Sequence, residues 1–280
     1  NTGNVKAIVN LTKGADGEYY ELYNYAIGES TEPGSTFKLP VYMVALEDGY
    51  IDIDDTISTG NGKYKFYDTY MYDSREGGYG TLTVKDAFAF SSNIAVAKII
   101  SKYYSKNPQA FIDRLYKMNL NKPLDIEIFG EGKPQIKSAD NNSWSGISLT
   151  WMSHGYEVQQ TPLQILAFYN AVANDGVLVK PKFVEEIREY DKVIEVFDPI
   201  VINPAICSKA TIKKVKAMLE GVVEYGTAAN LRNANYKIAG KTGTAQIANA
   251  KYGYKYESKV SHQASFCGYF PADNPKYSCI

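Results

Sequence analysis

In the stretch Glu32-Pro33-Gly34-Ser35-Thr36-Phe37-Lys38, a Pro-Gly break is followed at once by a serine and, three residues later, by a lysine. Apolar residues then recur at helical spacing up to Gly49, which predicts a helix that begins close to Ser35. Pro40 fits such a start, because proline is tolerated in the first turn of a helix. Residues three apart on a helix face the same way, so the sequence predicts that Ser35 and Lys38 are neighbours.

This pair is a candidate nucleophile and base. A serine hydroxyl is a poor nucleophile and needs a base within hydrogen-bonding distance. An ordinary lysine is protonated at neutral pH, but burial and a second cation nearby would both lower its pKa, and Lys241 is the candidate cation. A helix N-terminus also offers N–H groups and a favourable dipole to an oxyanion. The Ser-x-x-Lys spacing alone is common by chance, so its interpretation depends on two further motifs.

The motif Ser91-Ser92-Asn93 falls on the predicted break between two helices. A turn there can point a proton-relaying hydroxyl and a substrate-holding amide into a cleft, although the tripeptide could also simply cap the second helix.

The motif Lys241-Thr242-Gly243-Thr244 lies in a predicted strand. Gly243 leaves room for a ligand backbone, and a lysine with two hydroxyls suits a carboxylate. The alternative is an edge strand with a solvated lysine. Together, the three motifs are typical of serine β-lactamases and penicillin-binding proteins.

Composition disfavours several other classes of protein. The chain has 280 residues, of which 45% are hydrophobic, and a net charge of −1, which does not favour a nucleic-acid-binding surface. No apolar run reaches the 18 or more residues of a membrane span. The two histidines, His154 and His262, lie in no nucleophile or zinc motif, so a histidine-based triad is not predicted. The cysteines are odd in number and widely spaced, which predicts buried free thiols at Cys207, Cys267 and Cys279.

Predicted strands lie at both ends of the chain, and predicted helices lie in the middle. The predicted strands are 5–9, 20–25, 178–182, 183–189, 237–247, 262–270 and 277–280. The predicted helices start near Ser35, Thr83, Ile94, Phe111, Pro162 and Ser208. The expected fold class is α/β (α+β), with an antiparallel sheet built from both termini, flanking helices and a mainly helical insertion.

The whole chain, 1–280, is expected to be one domain. Its α/β subdomain would comprise 1–38 plus 161–280, and its mainly helical subdomain 39–160, with the site where the two meet. The glycine-rich residues 50–81 are expected to form a surface excursion, because they show little periodicity.

The chain resembles the transpeptidase domain of class B penicillin-binding proteins, and the division-septum type more than the elongation type. The matching residues span nearly the whole chain: 32–38, Thr59-Gly60-Asn61-Gly62, 91–97, Thr161-Pro162-Leu163-Gln164, 240–245 and 266–271. Two departures stand out. The family's domain continues with a further strand and a C-terminal helix, so the chain is expected to be a C-terminally truncated piece. His154-Gly155-Tyr156-Glu157 also stands where relatives have a Gly-Tyr-Gly run.

The resemblance implies serine acyl transfer on a β-lactamase/transpeptidase-like fold. Ser35 would attack the D-Ala–D-Ala amide of a peptidoglycan stem peptide and release the last D-Ala. Lys38 would take the serine proton, and Ser91, assisted by Lys241, would pass a proton to the leaving amine. An amine of a second stem peptide would then resolve the acyl-enzyme into a cross-link, whereas β-lactams would acylate the serine and stay.

The resemblance also implies how substrate is held. The backbone N–H groups of Ser35 and Thr244 would form the oxyanion hole. Thr242 and Thr244, beside Gly243, would bind the terminal carboxylate, and Asn93 would hold the peptide. No cofactor and no metal are expected.

The implied partners are the stem-peptide donor, the amine acceptor, β-lactams and divisome proteins, with no nucleic acid. The implied location is the extracytoplasmic (periplasmic) face of the cell membrane, with an anchor upstream of Asn1. Two alternatives stay open: a D,D-carboxypeptidase, which uses the same residues with water as acceptor, and a β-lactam-binding sensor without turnover. Sensors of that kind usually lack the asparagine that is present here as Asn93. The Glu-x-x-Leu-Asn string of class A β-lactamases is absent from the sequence.

Overall fold

The computed structural model describes residues 2–246 and 262–280. Its helices are α1 (Tyr25–Gly28), α2 (Lys38–Glu47), α3 (Val84–Ala89), α4 (Asn93–Tyr104), α5 (Pro108–Lys117), α6 (Ser148–Met152), α7 (Pro162–Ala173) and α8 (Lys209–Glu224). Short 3-10 turns cover Gly34–Phe37 and Ala229–Leu231. Its strands are β1 (Thr12–Lys13), β2 (Tyr19–Tyr20), β3 (Thr56–Gly60), β4 (Lys63–Phe66), β5 (Thr69–Tyr72), β6 (Gly80–Thr83), β7 (Gln135–Ile136), β8 (Val158–Gln159), β9 (Leu178–Val179), β10 (Glu186–Glu189), β11 (Lys192–Val196), β12 (Val201–Asn203), β13 (Ala239–Gln246), β14 (His262–Phe270) and β15 (Tyr277–Cys279).

The main sheet is antiparallel and has the order β13-β14-β15. The three predicted C-terminal strands are therefore confirmed, and 271–275 joins the last two as predicted. The predicted end of the first strand, Ile247, lies outside the described residues. Helices α7 and α8 pack against this sheet. Along β13, Lys241, Gly243 and Ala245 are buried, whereas Thr242 and Thr244 are more exposed, as the two-residue period of a strand requires.

The N-terminal segment does not join this sheet in the described part of the chain, so the expectation of a sheet built from both termini was wrong. Residues 5–9 form no strand, and beside them Asn4 makes an isolated parallel bridge to Lys182. The predicted strand 20–25 is reduced to β2, which pairs only with β1. Val9 and Leu22 are largely exposed, so this apolar pattern packs on no sheet. Strand propensity stabilises a strand only where one face is buried.

The predicted strands 178–182 and 183–189 do not pair with each other. β9 pairs with β12, and β10 pairs with β11 in a separate hairpin. Residues 50–81, expected to be a surface excursion, form the antiparallel pairs β3–β6 and β4–β5, and most of them are exposed. Their glycines occupy positive-φ positions at and between the strands, such as Gly60, Gly62 and Gly80.

Helix α2 is the centre of the molecule and contacts α4, α5 and α8. Its residues from Lys38 to Leu46 are all buried, as expected of a helix that is apolar on nearly every face. The predicted start was correct: the 3-10 turn that contains Ser35 leads directly into α2, and Pro40 lies in its first turn.

Other predicted helix starts are confirmed by their caps. Thr83 caps α3, Ser208 caps α8, and Thr161 forms a full capping box with Gln164 at the start of α7. Of the cysteines, all free, Cys267 is buried as expected, Cys207 is half-buried, and Cys279 is exposed on the edge strand β15. Within 2–246 and 262–280, no helix combines the length and the apolar character that a membrane crossing needs.

Candidate active site

The turn that carries Ser35 is held by close backbone contacts. Gly34 has φ of +56°, and a Cβ atom at this position would lie 3.1 Å from the Cβ of Ala245 on β13. The Gly34 N–H donates to the Gly155 carbonyl at 3.2 Å. Gly155, with φ of +90°, is packed so tightly that a Cβ atom there would overlap the Gly34 carbonyl. Two glycines are thus required to place Ser35 between β13 and the loop after α6.

The Ser91 backbone closes helix α3 in an unusual way. Its N–H donates to the Phe88 carbonyl at 3.0 Å, and the Ser92 N–H donates to the Ala87 carbonyl at 2.8 Å. This is a Schellman ending, which normally has glycine at the left-handed position, but here Ser91 occupies it with φ of +58°. Ser92 Oγ then accepts from the Ala95 N–H and caps α4. The capping interpretation is therefore correct for Ser92, and it leaves the Ser91 hydroxyl free for other contacts.

Two lysines that are distant in sequence meet at the Ser91 hydroxyl. Lys38 Nζ donates to Ser91 Oγ at 3.1 Å, to the Ser91 carbonyl at 2.7 Å and to Asn93 Oδ1 at 2.6 Å. Lys241 Nζ donates to Ser91 Oγ at 2.8 Å and to the Thr242 carbonyl at 3.0 Å. Because Ser91 Oγ accepts from the side-chain nitrogens of both lysines, its own proton is left for a third partner.

Both lysines are fully buried, and burial lowers the pKa of each. The pKa of Lys38 falls to about 7, against a smaller opposing effect of the Asp73 carboxylate. The pKa of Lys241 lies well below its ordinary value, because burial is reinforced by the charge of Lys38. The predicted effect of burial on the Lys38 pKa is confirmed, whereas the expected contribution of Lys241 to that shift was wrong. Near neutral pH a large share of Lys38 is uncharged and can accept a proton.

Asp73 fixes the start of α4 and was missed in the sequence. Its Oδ1 accepts from the backbone N–H groups of Asn93 at 2.7 Å and Ile94 at 3.1 Å, and the Ser92 hydroxyl donates to Oδ2 at 2.9 Å. A carboxylate is favourable at a helix N-terminus. Asn93 is held at both ends of its amide, because its Nδ2 donates to the Tyr72 carbonyl at 3.0 Å. No local pattern marks Asp73, which lies within the glycine-rich segment 50–81.

Strand β13 lines the other side of the cluster formed by Lys38, Lys241, Ser91 and Asn93. A Cβ atom at Gly243 would lie 2.4 Å from Ser265 Oγ and 3.0 Å from the Cγ2 of Thr36, next to Ser35. The strand therefore approaches the Ser35 turn closely, as only glycine allows. Thr244 is exposed, and the Thr242 hydroxyl shares a 2.6 Å hydrogen bond with that of Thr227, a residue the sequence did not single out.

The structure thus gathers the buried side chains of Lys38 and Lys241 around Ser91 and Asn93, with Ser35 on the adjoining turn. Among the hydrogen bonds of the described residues, none links Lys38 to the Ser35 hydroxyl. Within this described part, no cluster of three His, Cys, Asp or Glu side chains could hold a metal ion.

His154 lies beside the cluster, but its imidazole is too weakly basic to act as the general base. Burial, followed by the charge of Lys38, lowers its pKa to about 3, so the imidazole is neutral. Its Nδ1 lies 3.0 Å from the Thr150 carbonyl and donates to it. His154 therefore has a packing role, and the functional contribution of this loop comes from Gly155.

Comparison with known proteins identifies the family of the chain. The profile of the family described as "Penicillin binding protein transpeptidase domain" matches residues 1–280. Penicillin-binding protein PbpB of Mycolicibacterium smegmatis is 29% identical over 265 residues, which cover 92% of this chain and 39% of that protein. Peptidoglycan D,D-transpeptidase FtsI of Buchnera aphidicola (strain Bp) is 29% identical over 289 residues, which cover 99% of this chain and 46% of that protein. The chain spans less than half the length of these two relatives.

Solved structures of penicillin-binding proteins superpose on this chain. The transpeptidase domain of penicillin-binding protein 3 from Burkholderia pseudomallei superposes with a TM-score of 0.79 at 27% identity, covering 98% of this chain and 74% of that one. Penicillin-binding protein 3 of Mycobacterium tuberculosis, complexed with aztreonam, gives a TM-score of 0.80 at 27% identity, covering 94% of this chain and 58% of that one. The predicted α/β fold class and the predicted family resemblance are confirmed.

Proposed function

The chain belongs to the penicillin-binding protein transpeptidase family, and we propose that it is a serine-type peptidoglycan D,D-transpeptidase that cross-links stem peptides through an acyl-enzyme on Ser35. The observation that carries this proposal is the Ser91 hydroxyl, which accepts hydrogen bonds from two buried lysines. Relatives named peptidoglycan D,D-transpeptidase support the substrate class.

In the acylation step, neutral Lys38 takes the proton of Ser35, whose Oγ attacks the carbonyl of the D-Ala–D-Ala amide. The negative charge on the tetrahedral intermediate is stabilised by the backbone N–H groups of Ser35 and Thr244. Burial supports Lys38 in this role, because a lysine with a pKa of about 7 is both substantially neutral and still basic near physiological pH.

In the departure step, the C–N bond breaks and the leaving amine needs a proton. Ser91 gives its hydroxyl proton to that nitrogen and is reprotonated by an ammonium group, from Lys38 or Lys241, whose N–H already points at Ser91 Oγ. The amine of a second stem peptide then attacks the acyl-enzyme by the same route in reverse, and Ser35 is released.

Substrate is positioned from two sides. Thr242 and Thr244 bind the terminal carboxylate, beside the close approach that Gly243 permits. The Asn93 amide holds the peptide, and its contacts to Lys38 and to Tyr72 support a fixed orientation.

The proposal extends to inhibitors and to cellular context. β-Lactams acylate Ser35 and remain bound, since penicillin-binding protein 3 of M. tuberculosis has been crystallised with aztreonam and with ampicillin. The reaction takes place outside the cytoplasm, where peptidoglycan lies, on a membrane-anchored protein that works with divisome partners in septal synthesis.

The test is a reaction of the protein with a pentapeptide donor and an amine acceptor, followed by mass spectrometry of the products. Transpeptidation predicts a cross-linked dimer together with released D-Ala, and neither with the Ser35→Ala variant. Release of D-Ala without any dimer would indicate a carboxypeptidase, and a stable penicillin adduct without any turnover would indicate a sensor.

The first prediction concerns pH. Lys38 acts as a base only when neutral, so the rate of Ser35 acylation by a β-lactam should rise with pH and level off above about 7. At pH 5 we expect a rate about one hundredfold below the plateau, since each pH unit below the pKa reduces the neutral fraction tenfold. Stopped-flow acylation between pH 5 and 9 measures this directly, and a flat profile would contradict Lys38 as the base.

The second prediction concerns Asp73→Asn. The Asp73 carboxylate raises the pKa of Lys38, so removing its charge should move the inflection of the acylation profile to lower pH. Losing the anion at the start of α4 should also cost about 1 kcal/mol of folding stability. Asp68→Asn, an exposed change on the neighbouring β4–β5 hairpin, is the matched control. An inflection that stays in place or moves to higher pH would count against this assignment.

A further inference from the structure

An open cavity of about 270 Å³ lies outside the cluster around Ser91. It is bounded by the tip of the β4–β5 hairpin, the C-terminal half of α4, the start of α5 and the segment 144–150. Two aromatic side chains, Tyr67 and Trp144, contribute to its wall. The Tyr67 ring also covers Gly146, where a Cβ atom would lie 3.4 Å from the ring.

Hydroxyl groups make up much of the rest of the lining. Ser101 comes from α4, Ser105 directly follows it, and Thr150 comes from α6. None of these three hydroxyls, nor that of Tyr67, has a hydrogen-bond partner among the described residues. An open cavity that combines aromatic rings with hydroxyls free to donate and accept suits a sugar, whose C–H face packs on a ring while its hydroxyls exchange hydrogen bonds.

The cavity lies farther along α4 than Asn93, on the side that the β4–β5 hairpin covers. On one face of α4, the hairpin side chains Phe66 and Met71 pack against Ile94 and Ala97. The next positions on that face, at the spacing of one helical turn, are Ser101 and Ser105. The hairpin thus runs along α4 from Asn93, which its Tyr72 carbonyl holds, to the cavity under Tyr67.

The distance matches the substrate of the proposed function. From Asn93 to Ser101 is eight residues of helix, or about 12 Å at 1.5 Å per residue. A peptide of about four residues spans roughly 13 Å when extended. A stem peptide held at Asn93 can therefore place the sugar at its other end over the cavity.

We propose that this cavity is a glycan subsite, which binds an N-acetylhexosamine unit of the peptidoglycan strand whose stem peptide lies at Ser35. The inference rests on the proposed function for its choice of ligand. It assigns to the β4–β5 hairpin a role in recognising the strand as well as the peptide, so glycan-linked donors bind better than free stem peptides.

The test uses chitotriose, a soluble β-1,4-linked N-acetylglucosamine trimer, as the probe. Binding is followed by shifts of the Trp144 indole resonance, and Tyr67→Gly should weaken it about tenfold. The chain offers a matched control in Tyr190→Gly, because Tyr190 lies at the tip of the β10–β11 hairpin in an identical Tyr-Asp turn. Both tyrosines have φ of +53°, so glycine relieves the same backbone strain at each position.

The proposal predicts that chitotriose binds to the wild type and to Tyr190→Gly with the same affinity, and to Tyr67→Gly more weakly. It also predicts a higher KM for a glycan-linked donor in Tyr67→Gly, with an unchanged KM for the free stem peptide. No binding of chitotriose at 10 mM, or equal binding to both glycine variants, overturns it. Acylation of Ser35 by penicillin is measured separately in the same proteins. If the wild type is not acylated, that result counts against the proposed function and not against sugar binding.

Discussion

Replacing Lys38 by methionine is expected to slow acylation of Ser35 by about three orders of magnitude while the protein stays folded. General bases typically contribute 10²- to 10⁴-fold to the rate. Methionine is close to lysine in length and keeps the buried volume filled, but it cannot accept a proton. The variant also removes a buried cation, which offsets the loss of the hydrogen bonds to Ser91 and Asn93. The second-order rate constant for acylation by a chromogenic β-lactam measures the effect.

Stability provides an independent readout of the same lysine. The folded-state pKa of Lys38 is about 7 and its ordinary value is 10.5, so the unfolded chain binds more protons between these two pH values. Wild-type stability should therefore rise with pH across that window relative to Lys38→Met, with the full penalty of the buried charge below pH 7. Thermal unfolding of both proteins at pH 6 and pH 9.5 tests the sign.

Lys98→Met is the matched control, because Lys98 lies on the neighbouring α4, where its Nζ donates to the Ser58 carbonyl outside the cluster. We expect its acylation rate to stay within twofold of the wild type. If Lys38→Met retained more than a tenth of the wild-type rate, another group would be the base, and Lys241 would be the next candidate.

The pair Ser91→Gly and Ser91→Ala should lose activity equally but differ in stability. Both variants remove the hydroxyl that passes the proton, so we expect acylation of each to fall about 10²- to 10³-fold. Only glycine relieves the left-handed backbone at this position, which costs other residues roughly 1–2 kcal/mol. Ser91→Gly should therefore be more stable than Ser91→Ala by about 1 kcal/mol, as measured by urea unfolding.

This pair separates chemistry from folding. A rate loss that tracked stability, with Ser91→Gly more active than Ser91→Ala, would show that the serine acts through the backbone turn. Equal rates near the wild-type value in both variants would rule out the proposed relay.

What sequence reasoning predicted correctly is local. The caps of α7 and α8 depend on residues within one turn, and the Ser-x-x-Lys spacing fixes two positions of the same helical segment. The strands predicted at 5–9 and 20–25 failed because their apolar residues find no buried face, which no local pattern reveals. Strand propensity reflects a packed surface more than an intrinsic preference of the backbone.

Contacts between distant segments of the chain could not be predicted from the sequence. Asp73 binds a helix start 20 residues later, and Thr227 meets Thr242 across 15 residues, without a motif at either end. Burial was predicted to lower the pKa of Lys38, but its completeness could not be read from the sequence. A neighbouring cation can be inferred from a motif, but complete burial of a side chain appears only when α2 is surrounded by its neighbours.

The most direct measurement is labelling with a fluorescent penicillin followed by intact mass, on the wild type, on Ser35→Ala and on Thr36→Val. Thr36 is the matched control, because its hydroxyl lies next to Ser35 but donates to the Pro33 carbonyl. A nucleophilic Ser35 predicts one stable adduct on the wild type and on Thr36→Val, and no adduct on Ser35→Ala. An adduct that persists in Ser35→Ala, or that is absent from folded wild-type protein, would contradict it.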